Sequence, residues 1–321
     1  MTAWPPPALV LTAGLGTRLR PLSDYRAKPA MPVGRDALAC HILRRLADAG
    51  IREAVLNLHH LPHTITREVG DGSQCGLRVR YSWEQPRVLG SAGGPRHAMP
   101  LVDADTLLIV NGDTLCDLPI RALWDAHVAS GALVTLGLMP HPQPGRYGGV
   151  VIDAPDAAPD TRYRGPDSRL PTPDSRLLSA GAVTAFVPRT SAVPSVHFPG
   201  IQIVHRSVLA ALPDGVLSES VLEVYPLLMK TEPGAVRGAV FDAHFDDVGT
   251  VEDYRRTCRA LAGDADGNVI DPLATVAADA RLRGCIVWPG ARVPSGAVLD
   301  DVVVTGHAPL AAGTRLENVV A

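Results

Sequence analysis

Short apolar runs that end on glycine or aspartate, each followed by text of helical periodicity, constrain the fold of this chain more than any other feature. Ala8–Leu11 reads as a buried strand and opens into a glycine loop at Gly14. Residues 37–49 then place Leu38, Ile42, Leu46 and Ala49 on one helical face, with Gly50 set to end the helix. Further strands are read at Glu53–Leu58, 77–83 and 106–110, and the last runs directly into Asn111-Gly112-Asp113. Such alternation predicts an α/β domain, a parallel sheet with crossover helices. Ligands of such sheets bind beyond the carboxyl ends of the strands, so Gly14 to Arg18 and Asp113 are expected there.

Composition removes several function classes. At 321 residues with 46% hydrophobic and 20% charged positions, the chain has length and apolar content for a large core and a smaller second unit. The 30 basic residues are scattered among 33 acidic ones, so no concentrated basic surface for nucleic acid is expected. No apolar run approaches a membrane span, and residues 1–11 lack the basic start of a secretory signal, so a cytoplasmic location is expected. Five widely spaced cysteines without a Cys-x-x-Cys pair point to buried, reduced thiols. Only Lys28 and Lys230 are lysine among the basic residues, which draws attention to Lys28.

Residues 159–179 hold three copies of a heptad starting at Pro159, Pro166 and Pro173. A proline in each copy excludes a continuous helix. The repeat reads as an expanded surface loop between strands at 150–152 and 182–187, the alternative being a lid over a site. From about Asn268, Val276, Leu282, Val293, Leu299, Leu310 and Leu316 recur roughly every six residues with Gly and Pro between them. This is the texture of a hexapeptide, left-handed β-helix over 268–321, short enough to need a neighbour to stack on. His59, His60 and His63 suggest a metal cluster, but Pro62 interrupts the helix that would align them.

The strongest chemical signal is the segment from Leu11 to Leu22, Leu-Thr-Ala-Gly-Leu-Gly-Thr-Arg-Leu-Arg-Pro-Leu, followed by Lys28-Pro-Ala-Met-Pro32. A glycine loop after a strand lets backbone N–H groups approach phosphate oxygens. Leu19 stands where a dinucleotide fingerprint needs its third glycine, and no Gly-Lys-Ser/Thr follows, so neither of those loops is present. Arg18 and Lys28 add positive charge suited to a polyphosphate.

These residues resemble the sugar-1-phosphate nucleotidylyltransferases, the NDP-sugar pyrophosphorylases, whose N-terminal motif is Gly-x-Gly-Thr-Arg-Leu-x-Pro-Leu followed by Lys-Pro-x-x-Pro. The resemblance continues in order through Gly90-Ser-Ala-Gly93, Asn111-Gly-Asp113, Tyr147-Gly-Gly-Val150, Phe198-Pro-Gly-Ile201 and Asp247-Val-Gly-Thr250, and covers residues 8–262. It implies a Rossmann-like α/β fold of the nucleotide-diphospho-sugar transferase type, with a mixed, mostly parallel sheet flanked by helices, a catalytic domain over 1–262, and transfer of a nucleotidyl group from an NTP to a sugar 1-phosphate with release of pyrophosphate. The tail is similar to that of mannose-1-phosphate guanylyltransferase-like members, which makes GTP and a mannose-type sugar the first expectation and homo-oligomerisation through the β-helix plausible.

The resemblance also implies roles. Arg18, Lys28 and Asp113 would be catalytic, and Asp113 and Asp247 would hold Mg²⁺. Leu11, Ala13, Gly14, Gly16, Thr17, Arg18, Lys28, Glu84, Gly90 and Ser91 would bind the nucleotide, with Gly148, Gly149, Arg189 and Gly200 on the sugar-phosphate side. One departure stands out: where the family often carries Glu-Lys-Pro, this chain reads Phe186-Val-Pro-Arg189. That leaves a non-catalytic, NDP-sugar-binding regulatory paralogue as the alternative. A glycosyltransferase on a similar fold fits less well, because the phosphate cradle suits an incoming triphosphate. Thr250 is expected to cap a helix whose first turn carries Glu252 and Asp253.

Overall fold

The structure, a computed structural model, describes residues 4–153, 156–157 and 176–321, so the heptad repeat from Pro159 to 175 lies outside the described residues. Two compact units are present. One comprises Met1–Ala13, Ile42–His59 and Gly70–Phe245, and the other Gly14–His41, His60–Val69 and Asp246–Ala321.

The first unit is built on a ten-stranded sheet. Its strands are β1 (Ala8–Leu11), β2 (Glu53–Leu58), β3 (Arg78–Trp83), β4 (Thr106–Asn111), β5 (Val134–Met139), β6 (Gly149–Ile152), β7 (Asp156–Ala157), β8 (Leu177–Val187), β9 (His197–His205) and β10 (Val236–Phe241). They lie in the order β7-β8-β10-β5-β9-β4-β1-β2-β3, with β6 paired to β8. Parallel pairing runs through β3, β2, β1 and β4 and joins β5 to β10. The antiparallel strand β9 sits between β4 and β5, and β8 runs antiparallel to β10. The sheet is thus mixed. Central strands β4 and β5 are buried nearly end to end; β4 reads as an apolar run in the sequence, whereas Thr135 and Gly137 interrupt β5. Leu9, Ile109, Leu136, Leu138, Val204 and Val240 form one core across β1, β4, β5, β9 and β10.

Strand limits read from the sequence hold to within one residue except at β8, while β5, β7, β9 and β10 had no limits read. Strand β8 starts at Leu177, so the last residues of the third heptad copy are strand paired to β10, not loop. Helix α1 (Leu38–Asp48) ends two residues before Gly50. Pro62 opens helix α2 (Pro62–Val69) instead of breaking one, so His59 and His60 precede it and only His63 lies within it. Helices α3 (Gly90–Ala98), α4 (Ile120–Ser130) and α5 (Tyr225–Thr231) belong to the first unit. All five cysteines are buried, and among the described residues no helix is long and apolar enough to cross a membrane.

The second unit contains α6 (Val251–Ala262) and a β-helix. Thr250 caps α6 in a reciprocal box: its Oγ1 accepts from the Asp253 amide, and Asp253 accepts from the Thr250 amide. The coil strands are β11 (Val269–Ile270), β12 (Thr275–Val276), β13 (Arg281–Arg283), β14 (Ile286–Val287), β15 (Arg292–Val293), β16 (Val298–Asp300), β17 (Val303–Val304) and β18 (Arg315–Glu317). They form three parallel ladders, β11-β14-β17, β12-β15 and β13-β16-β18. Val269, Ile286 and Val303 are partners in one ladder, so each coil takes 17 residues. Strand starts at 269, 275, 281 and 286 step by six, six and five, which is why the sequence spacing slips. The short step ends each coil on a left-handed corner: Gly267, Gly284, Asp301 and Asn318 stand 17 apart with φ of 75°, 61°, 54° and 52°. Glycine and Asp/Asn tolerate that conformation. Cys285, Val287, Ala291, Val293, Ala297, Leu299, Val302 and Val304 fill the coil interior.

Candidate active site

In the first unit the carboxyl end of β1 continues into a buried polar network. The Thr12 amide donates to Asn57 Oδ1 at 2.6 Å, and the Thr12 hydroxyl donates to the Asn57 carbonyl. Asn57 Nδ2 then donates to Glu84 Oε1 at 2.6 Å, and the Leu89 amide donates to Glu84 Oε2 at 2.7 Å. Glu84 is 0% exposed, so its side chain ties the 84–89 loop to the end of β2 and presents no surface of its own. Asn57 escaped the sequence reading; its one signal was a polar residue inside the apolar run Ala54-Val-Leu-Asn-Leu58.

The loop leads to Gly90 and Ser91 at the start of α3. Ser91 Oγ donates to Glu219 Oε2 at 2.5 Å, the Ser91 amide donates to the same oxygen at 3.2 Å, and the Ser220 amide donates to Ser91 Oγ at 2.9 Å. Glu219 was also missed, because no motif marks it. It holds the start of α3 from a segment far along the chain.

Leu11 pairs with Asn111 across β1 and β4, so Ala13 and Asp113 follow neighbouring strand ends. Thr114 Oγ1 donates to Asp113 Oδ1 at 3.1 Å, and Asp113 is partly exposed. Gly200 in β9 faces the same end: it holds φ of 91°, and a Cβ there would fall on the Asn111 side chain. A side chain at 200 would therefore strain the backbone and displace Asn111, the residue that leads to Asp113.

The segment predicted to face the sugar surrounds a ring cluster. Tyr147 lies 4.9 Å from His197 and 5.3 Å from Phe245, and His141 lies 5.7 Å from His197, all as centroid distances. Burial, and then the neighbouring His141, pull the His197 pKa down to about 4, with the Gly148 backbone opposing. The imidazole is neutral at physiological pH. Gly149 lies in β6 with the Ser195 side chain at its Cβ position, and Gly148 is exposed just before it. Arg189 is exposed in the turn after β8.

The second unit carries the glycine loop. Gly14, Thr17 and Arg18 are exposed and Gly16 is partly so, while Leu19 anchors the loop in the core. Lys28 is buried to 7% exposure, and its Nζ lies 3.7 Å from Asp247 Oδ1. An idealised Cβ on Gly249 would stand 2.8 Å from Asp247 Oδ2 and 3.4 Å from Arg18 Nη1, so Arg18 and Lys28 flank one carboxylate. Two fixed cations around a carboxylate beside a glycine loop suit a polyphosphate with its metal ion. Among the described residues no group of three or more His, Cys, Asp or Glu side chains gathers as a metal cage.

A model of the family "Nucleotidyl transferase" matches residues 7–262. The mannose-1-phosphate guanylyltransferase of Mycobacterium tuberculosis is 31% identical over 319 residues, 98% of this chain and 79% of that protein. The N-acetylmuramate alpha-1-phosphate uridylyltransferase of Neisseria meningitidis is 41% identical over 115 residues, 36% of this chain and 50% of that one. In fold, the chain is similar to HddC from Yersinia pseudotuberculosis, with a TM-score of 0.63 at 20% identity over 80% of this chain and 99% of that one. With the family model and a near full-length relative in agreement with the motif order, the chain belongs to the nucleotidyl transferase family and is a sugar-1-phosphate nucleotidyltransferase.

Proposed function

We propose that this enzyme transfers a guanylyl group from GTP to mannose 1-phosphate or a closely related sugar 1-phosphate, with Mg²⁺ as the metal. The observation that carries the phosphate chemistry is the Asp247 carboxylate flanked by Lys28 and Arg18 beside the Gly14 to Thr17 loop. The choice of base and sugar rests on the similarity to the mycobacterial enzyme along nearly the whole chain.

In this reading a sugar-phosphate oxygen attacks the α-phosphorus in line, one P–O bond forms, and the bond to the bridging oxygen breaks to release pyrophosphate. Backbone N–H groups of Gly14, Gly16 and Thr17 orient the nucleotide phosphates. Arg18 neutralises the departing β- and γ-phosphates, and Lys28 sits towards the α-phosphate. Asp113 and Asp247 are each proposed as metal carboxylates; bound Mg²⁺ would supply further neutralisation of phosphate charge. Leu11, Ala13, Gly90 and Ser91 line the nucleoside side, and Glu84 acts there by fixing its loop. Gly148, Gly149 and Gly200 take the sugar side with the Tyr147 and His197 rings, and Arg189 takes the phosphate role of the missing Glu-Lys-Pro lysine. Residues 1–262 would be the catalytic region and 268–321 the β-helix of a cytoplasmic homo-oligomer.

The test is pyrophosphate release from the purified protein with Mg²⁺, each NTP being crossed with a panel of sugar 1-phosphates. Release with GTP and a mannose-type acceptor is expected, and Asp113→Asn should lower turnover on the order of 100-fold with an unchanged circular dichroism spectrum. Preference for another pair would replace the substrate assignment. Wild-type turnover in the variant would remove Asp113 from the chemistry.

A further inference from the structure

Lys28 lies in a segment whose neighbouring residues are held by α2, by α6 and by the β-helix. Upstream, the Tyr25 ring stacks on His307, which follows β17, with centroids 4.1 Å apart and planes 11° from parallel. Next in sequence, the Arg26 guanidinium lies 5.3 Å from the centre of the Trp288 ring and donates to Glu68 Oε1 at 3.0 Å. The Ala27 amide donates to Thr64 Oγ1 at 3.1 Å. Downstream, the Tyr254 hydroxyl donates to the Pro32 carbonyl at 2.6 Å and accepts from Trp288 Nε1 at 2.8 Å. Trp288 is 1% exposed yet is absent from the group of side chains that fills the coil. Its large ring is spent on the Lys28 segment.

From this we infer that Trp288 and His307 are positioning residues for Lys28, so that the β-helix sets the geometry of the phosphate site. A flexible four-carbon side chain reaches one phosphate reproducibly only if its backbone is fixed. Here two rings, His307 on Tyr25 and Trp288 on Arg26, fix the chain upstream, and the Trp288–Tyr254 relay fixes it at Pro32. The inference rests on the proposed phosphate role of Lys28.

The experiment uses the full chain, four single variants (Lys28→Met, His307→Ala, His307→Phe and Trp288→Phe, the last keeping a smaller aromatic ring without the Nε1 donor) and the two double variants that combine Lys28→Met with His307→Ala or with Trp288→Phe. Each is titrated with GTP and Mg²⁺ and, as a base-independent probe, with inorganic tripolyphosphate, and each is assayed for pyrophosphate release. His307→Ala and Trp288→Phe are expected to weaken both ligands about 3- to 10-fold and to raise KM for the nucleotide while KM for the sugar 1-phosphate holds. His307→Phe restores the wild-type values. In the Lys28→Met background the two substitutions have no further effect, whereas a merely structural role would weaken binding equally in both backgrounds. Wild-type binding in His307→Ala and Trp288→Phe, with Lys28→Met impaired, would overturn the inference and leave the role of Lys28 standing. Unimpaired binding by Lys28→Met would overturn both.

Discussion

Glu84 carries a carboxylate with no exposed surface, and the two groups that face it, Asn57 Nδ2 and the Leu89 amide, both donate. Glu84→Gln keeps the shape but turns one acceptor into a donor, leaving a buried donor facing a donor. A loss of about 1–3 kcal/mol is expected, read as a lower urea midpoint, with weaker nucleotide binding as the 84–89 loop loosens. An unchanged midpoint would mean that the network re-forms around the amide. Residues bearing motif chemistry were legible in the sequence: Lys28, Arg18 and Asp247 announce themselves by type and spacing, and they gather in the structure. Residues that act by filling a hydrogen-bond deficit were not. Asn57 and Glu219 are recognisable only once the donors they satisfy have positions, and position is a tertiary property.

Between elements, α4 and β5 meet at a buried polar contact in which His127 Nδ1 lies 2.9 Å from Thr135 Oγ1. Burial, helped by the nearby His205, pulls the His127 pKa from 6.5 down to about 4. The unfolded chain therefore binds a proton between about pH 6.5 and 4 that the folded chain refuses. Stability is full above that window and falls as pH drops through it, by on the order of 3 kcal/mol for this group at the lower end. His197 acts in the same direction. Urea midpoints measured from pH 7 to pH 4.5 should fall, and His127→Gln should flatten the slope; an unaltered slope would assign it to other groups. Strands β1 to β4 were legible as short strand-like runs, whereas β5 and β10 were not read, because Thr135 and Gly137 interrupt the one and Arg237 and Gly238 the other. Strand β9 was legible only through its resemblance to a family segment, since Pro199 argues against a central strand. The structure accommodates it by an irregularity: the pairing with β5 shifts register between His197 and Ile201, where Pro199 and Gly200 sit.

At the scale of the whole chain, residues 14–41 and 60–69 pack with the C-terminal part, a grouping that sequence order conceals. The coil texture was legible, but its partner was not, because docking depends on side chains of α6 that read as ordinary charged helix. Arg255 donates to Asp301 at 3.2 Å, to Asn318 at 2.6 Å and to the Val319 carbonyl at 3.0 Å, while Arg259 reaches Asp301 and the Gly284 carbonyl. One face of α6 thus grips the row of left-handed corners. Arg255→Ala should lower stability by about 1–3 kcal/mol, and Arg255→Lys should not restore it, because one ammonium cannot span three fixed acceptors. Thermal denaturation followed by tryptophan emission reads both, and full rescue by lysine would reduce the contact to simple charge. The corner spacing also sets a rule for length variation in this tail. Loss or gain of a whole 17-residue coil would return every inward side chain inward and bring another corner towards the same arginines. A change by an odd number of residues within a strand would turn the side chains beyond it inside out, and an even change short of a coil would carry the corners away from the arginines, so descendants of this chain should differ here in complete coils or hardly at all.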